Sequence, residues 1–242
     1  MKTIGMLGGM SWESSVTYYQ AFNCAVKHAL GGLHSAKVVM VSVDFAEIEK
    51  LQHAGDWQAT AVILSKAALQ VEQAGADFLV ICTNTMHKVA EQIQANINIP
   101  IVHIADSTAE VLVEENISKV GLLGTKFTMQ QDFYKRRLTD KYAIEVLVPH
   151  PPEQQIVHDI IYQELCLGSV KSASRQQYIE IINGLFARGV QAVILGCTEI
   201  ALLIGQEHTT VPLYDTTAIH AQAAVNFALK TPQLSSPKHI NK

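Results

Sequence analysis

The chain has 242 residues, 48% hydrophobic and 17% charged, enough apolar material for a substantial core in one large or two modest domains. Lysine and arginine number 18 against 22 acidic residues, a net charge of −4 with no basic run, which argues against a nucleic-acid partner and leaves small molecules. Cys24, Cys82, Cys166 and Cys197 show neither a CxxC pair nor zinc-ligand spacing, and no stretch approaches the ~18 apolar residues of a membrane helix, so the expectation is a cytoplasmic protein with free thiols and no metal.

Taken in order, apolar runs of β type alternate with helical patterns, the signature of parallel βαβ units. Met1 to Gly5 leads directly into a strand, Ile4 to Leu7, rather than a secretory leader. Gly8-Gly9-Met10-Ser11 is a turn, and Trp12 to His28 a helix. A second strand, Val38 to Val43, ends at Asp44, followed by helices at Glu47 to Gln52 and Trp57 to Gln73. Strand three is Asp77 to Ile81, with a helix from Thr83-Asn84-Thr85 to about Asn96; strand four is Pro100 to Ile104, with Asp106 as the next N-cap. Lys119 to Leu123 with Gly124-Thr125 restarts the pattern. Ile144 to Val148 is a strand, the prolines 149, 151 and 152 break it from a helix at Gln155 to Leu167, and Gln176 to Arg188 is a helix. Val190 to Leu195 and Val211 to Tyr214 are strands, and Asp215 caps a helix to about Leu229.

The second half repeats the first. Gly5 and Gly8 map onto Gly121 and Gly124, and Thr83 stands eight residues after Gly75 as Cys197 stands eight after Gly189. The predicted architecture is α/β, two similar Rossmann-like domains with parallel sheets related by a pseudo-twofold. Residues 1–112 form the first and 113–211 the second, with 212–230 packing back on the first and 231–242 a loose tail. Ligands of open parallel sheets bind beyond the carboxyl ends of the strands, so the cleft between the domains is the expected site. A thiol at a helix N-terminus is expected to have a lowered pKa, making Cys197 a candidate base or nucleophile. The N–H, hydroxyl and amide groups around Thr83 suit a carboxylate.

MLGGMSWES, CTNTMHK and LGCTEI, with GTKFTMQQDFY and IIYQELCLG, resemble the aspartate/glutamate racemase superfamily, especially its aspartate racemase and broad-specificity amino-acid racemase branch. The likeness covers nearly the whole chain. It implies a homodimer without pyridoxal phosphate, metal or other cofactor, in which two cysteines face the α-carbon of an amino acid from opposite sides. One removes the proton and the other delivers one. This chain departs from that pattern, because Thr83 occupies the first cysteine's place and its cysteine is displaced to Cys82. Neighbouring strand residues point to opposite faces, so Cys82 is expected to look away from a cleft that Thr83 faces.

Catalysis is therefore assigned to Cys197 and Thr83, and substrate binding to Met10, Ser11, Gln52, Asn84, Thr85, Thr125, Thr128, Thr198 and Glu199. His87, His103 and His220 are read as structural; Tyr134 and Glu164 receive no role. GMLGGM is not G-x-G-x-x-G and Asp44 lies too far on, which weakens a dinucleotide-binding reading. A related isomerase or decarboxylase, or a non-catalytic carboxylate-binding protein, remain the alternatives.

Overall fold

A computed structural model describes residues 1–230; the expected tail at 231–242 lies outside the described residues. Two four-stranded, all-parallel sheets have the same order. In the first, β1 (Ile4–Gly8) lies between β2 (Val38–Ser42) and β3 (Phe78–Ile81), with β4 (Ile101–Val102) beyond β3. In the second, β5 (Lys119–Gly124) lies between β6 (Glu145–Leu147) and β7 (Ala192–Gly196), with β8 (Leu213–Asp215) beyond β7. The central strands are buried on both faces, as their unbroken apolar runs require. Leu7 pairs with Ile81 in one sheet and Gly124 with Gly196 in the other, so the carboxyl ends of both central pairs finish level.

Helices cover both faces of each sheet. On the first, α2 (Phe45–Ala54), α3 (Trp57–Gln73) and α4 (Ala90–Gln94) close one side. α1 (Trp12–Leu30) and α11 (Thr216–Leu229) close the other, where Ala221, Ala224 and Val225 pack on Ile4, Met6 and Phe78. On the second, α8 (Pro151–Gln163) and α9 (Ser172–Ala187) cover one face. α5 (Ile104–Glu114) and, after the short α6 (Lys126–Gln130), α7 (Asp132–Tyr142) cover the other, with Ala105, Ala109 and Leu112 against Val120 and Leu122.

The halves therefore exchange helices, which corrects the expected boundaries. α5, placed before residue 112, belongs to the second core, and β8, placed in the returning segment, pairs with β7; only α11 returns to the first sheet. Each helix follows its buried apolar stripe and not its position in the chain.

Local differences have local causes. His103, not Asp106, caps α5 by accepting from Ala105 N at 3.2 Å. Asp106 sits in the first turn and takes Arg137 Nε at 2.6 Å and Lys141 Nζ at 2.8 Å. Pro151 and Pro152 begin α8 instead of delaying it, because the first turn of a helix has no use for their missing N–H groups. The segment after Thr83 opens as a 3-10 helix, Thr85–Val89, before α4. Gly9 has φ +93°, and a Cβ there would lie 2.2 Å from the Val43 carbonyl oxygen, so this turn requires glycine.

Candidate active site

The carboxyl ends of β1, β3, β5 and β7 converge on one cavity between the sheets. Its wall includes Met10, Ser11, Gln52, Thr83, Thr85, Thr125, Cys197 and Glu199 from the sequence-predicted set. Phe45, Met86, Ile161, Tyr162 and Cys166 complete it. Ile161, Tyr162 and Cys166 lie in the IIYQELCLG segment and Met86 in CTNTMHK, both quoted above without a role for these residues; nothing local in the sequence marked Phe45 as a lining residue. The cavity measures about 30 Å³, close to the room one water molecule takes in liquid.

Three predicted ligand residues are not in that wall. Asn84 Nδ2 donates to Thr216 Oγ1 at 3.0 Å, and Thr216 in turn donates to Leu195 O at 2.8 Å. Thr217 donates to Thr198 at 3.2 Å, and the Thr198 and Ser14 hydroxyls meet at 2.9 Å. Ser14 donates to Cys82 O at 2.8 Å, so Thr198 must be the donor to Ser14. Thr128 meets Thr125 at 3.3 Å and Thr85 at 3.4 Å, and Thr85 meets Thr125 at 3.2 Å. These hydroxyls stitch the halves together along a buried polar seam, and their hydrogen bonds are made to protein partners.

Cys197 follows β7 directly and donates from Sγ to Glu199 Oε2 at 3.0 Å. Ser11, the N-cap of α1, donates to Glu199 Oε1 at 2.8 Å from the other half. The expected lowering of the Cys197 pKa is reversed. Burial, then the Glu199 charge, push the thiol well above its ordinary value. α10 (Ile200–Leu203) has one turn, too short a dipole to offset a carboxylate at 3.0 Å. The resting group is a thiol donating to a carboxylate.

Thr83 occupies the equivalent position after β3 and lines the same cavity. Cys82 is fully buried on the opposite face, among Tyr18, Phe22 and Phe78, and burial drives its pKa up. Gln52 is 1% exposed; its Nε2 donates to Tyr162 Oη at 3.2 Å, and its Oε1 is buried without a partner. An orphaned acceptor in a cavity wall suits an ammonium donor. Among the described residues no lysine, arginine or histidine lines the cavity. Lys88 lies over the Trp57 ring at 4.0 Å and Lys126 bonds Gln155, so neither reaches it.

Beneath Thr83, the rings of His87 and His103 are 4.5 Å apart and those of His87 and His220 5.7 Å. Burial lowers all three, His103 to about 2 and His220 to about 4, so they are neutral. Among the described residues no group of three or more His, Cys, Asp or Glu side chains is arranged to hold a metal, and no helix is long and apolar enough to cross a membrane.

The fold and the paired strand ends recur in known proteins. A Yersinia pestis crystal structure assigned to the Asp/Glu racemases is 53% identical, with a TM-score of 0.90, covering 95% of this chain and 100% of that one. An aspartate racemase homologue from Pyrococcus horikoshii OT3 is 33% identical, with a TM-score of 0.83 and the same coverage. The broad specificity amino-acid racemase RacX of Bacillus subtilis (strain 168) is 22% identical over 66% of this chain and 68% of its own. The family described as Asp/Glu/Hydantoin racemase matches residues 7–224, and the chain belongs to that family as an isomerase of the racemase type.

Proposed function

We propose that the chain racemises free amino acids without a cofactor, with Cys197 and Thr83 as proton carriers on opposite faces of the α-carbon. One observation carries this reading: the residues following β7 and β3, equivalent in the duplicated fold, line a single cavity from its two halves. Inversion needs two such groups, since a proton must leave one face and arrive at the other.

Glu199 is the group to which the Cys197 thiol already donates, so it takes the thiol proton as the thiolate forms. A substrate ammonium brought beside Glu199 and the orphaned Gln52 Oε1 offsets the negative charge that otherwise keeps the thiol protonated. The thiolate then removes the α-proton. Thr83 donates its hydroxyl proton to the opposite face and recovers one from solvent, to which Glu199 releases the proton it took from the thiol. In the reverse direction Thr83 must act as base, for which an alcohol is far weaker than a thiolate. Two enantiomers have equal free energy in water, so this inequality slows inversion in both directions and cannot make it one-way.

Among the described residues the wall holds one carboxylate, Glu199, and no cation, which favours amino acids with neutral side chains over dicarboxylates. The relatives named as aspartate or broad-specificity racemases fix the amino-acid class but not this preference. Chiral analysis with α-deuterium exchange over a panel of D- and L-amino acids tests both points. Deuterium from heavy water enters one enantiomer faster than that enantiomer inverts. Equal entry into both, or entry that survives Cys197→Ala, refutes the assignment.

A further inference from the structure

Cys197 and Thr83 are equivalent in the repeat, yet their main chains are held differently. The Cys197 carbonyl accepts a backbone hydrogen bond, from Ile200 N at 3.1 Å. The Thr83 carbonyl accepts from a side chain, His87 Nδ1, at 2.8 Å. The Thr83 N–H donates to the Ile81 carbonyl at 2.9 Å, so the strand end holds the peptide on its amino side, whereas its own carbonyl, between the strand and the first 3-10 residue, Thr85, is held by His87.

We propose that His87 is a positioning residue for the Thr83 side of the reaction, holding the Thr83 main chain, and hence the direction of its hydroxyl, through a single neutral tautomer. The inference rests on the reading of Thr83 as the second proton carrier.

The tautomer follows from the partners. Ile104 N donates to His87 Nε2 at 3.2 Å, and a backbone N–H can only donate, so Nε2 is the acceptor and the proton sits on Nδ1. Nδ1 then donates to the Thr83 carbonyl. His87 is thus a strut from the start of α5 to the end of β3, joining a helix of the second core to a strand of the first. Its ring is 4% exposed and cannot swing. His103 packs against it, and so does His220, which is itself pinned by Tyr18 Oη at 2.8 Å and by Val102 O at 2.8 Å. Since the Cys197 side has its own backbone bond, loss of the strut disturbs one proton carrier and spares the other.

Two conservative variants separate positioning from general packing. Asparagine places an amide N–H where Nδ1 stands and keeps the bond to Thr83; in His87→Gln the amide oxygen reaches toward the Nε2 site and serves Ile104 instead. In heavy water, deuterium wash-in with retention reports Cys197, and inversion reports Thr83. His87→Gln lowers inversion by about 10- to 100-fold, the cost of a roughly 1 Å misplacement. Its wash-in and KM change by less than about twofold, within the scatter of a group left untouched. His87→Asn keeps most of the inversion rate. If Gln and Asn behave alike, or if wash-in and inversion fall by the same factor, His87 is a packing residue and the inference fails. Thr83→Ala separates the two layers. If it slows inversion while His87→Gln does not, the inference alone falls; if it leaves inversion untouched, the reading of Thr83 falls and takes the inference with it.

Discussion

Lowering the pH from 7 to 5 should destabilise this fold through its buried imidazoles. His103 and His220 have pKa values depressed to about 2 and about 4, and His87 is also well below 6.5, with burial the first cause in each. An unfolded histidine titrates near 6.5. Between that value and the depressed folded one, the unfolded chain binds a proton that the folded chain refuses. The stabilisation is therefore present above about pH 6.5 and is lost as pH falls toward the folded values. At ~1.4 kcal/mol per pH unit of full titration, each imidazole contributes about 2 kcal/mol of loss between pH 7 and 5. His103 and His220 together give about 4 kcal/mol, a large share of a typical domain stability of about 5–15 kcal/mol, and His87 adds to it. Asp215, whose pKa is raised by burial, works in the opposite direction. Urea unfolding followed by circular dichroism at pH 7, 6 and 5 measures the slope. His220→Gln should lower stability at pH 7 but reduce the pH 7-to-5 loss by about 2 kcal/mol. A loss below about 1 kcal/mol, or an unchanged slope in that variant, refutes the neutral-cluster argument.

Further outcomes test the site and the exchange of helices. Cys197→Ala should lower both wash-in and inversion by about 10²- to 10⁴-fold, the usual contribution of a general base, read by NMR in heavy water and chiral chromatography. Thr83→Cys should raise the racemisation rate, by about tenfold if it restores a competent second base. Glu199→Gln removes the charge that raises the Cys197 pKa, so the pH midpoint of iodoacetamide alkylation should fall while turnover also falls; a midpoint that rises or stays put contradicts the pairing. Leu112→Ala should cost about 2–5 kcal/mol of stability, as expected for a buried leucine in the second core.

Spacing alone paired Thr83 with Cys197, because a strand that follows a fixed glycine, Gly75 or Gly189, keeps its count when a domain is duplicated. The strands were legible for the same reason: unbroken apolar runs require burial on both faces. The exchange of α5 and α11 was not, since periodicity shows that a helix has an apolar face but not which sheet receives it. The Cys197 pKa argument failed because it weighed a helix terminus and omitted burial and, after it, Glu199, whose carboxylate lies 3.0 Å from the sulfur. Asn84, Thr128 and Thr198 were assigned to substrate by their polarity and nearness to the motifs. Their partners, Thr216, Thr125 and Ser14, come from other parts of the fold or the neighbouring turn, and no local rule names them. Likewise, His87, His103 and His220 are distant in sequence and meet only because α11 returns to the first sheet beside β4.

In the proposed mechanism the inequality of the two proton carriers lies in their surroundings as well as in the side chains. Cys197 has a carboxylate in hydrogen-bond contact to receive its proton, and that carboxylate is tied to the opposite half through Ser11. Thr83 is surrounded in the cavity by Thr85, Met86 and Thr125, and its imidazole neighbour is committed to its backbone. The one carboxylate in the described wall, Glu199, already accepts from Cys197 and Ser11, so a cysteine at residue 83 equalises the side chains without equalising their hydrogen-bond partners. The hydrogen bonds that orient Glu199 come from both halves: Ser11 holds Oε1 from the first and the Cys197 thiol holds Oε2 from the second, so the carboxylate beside the thiol is aimed from across the cleft.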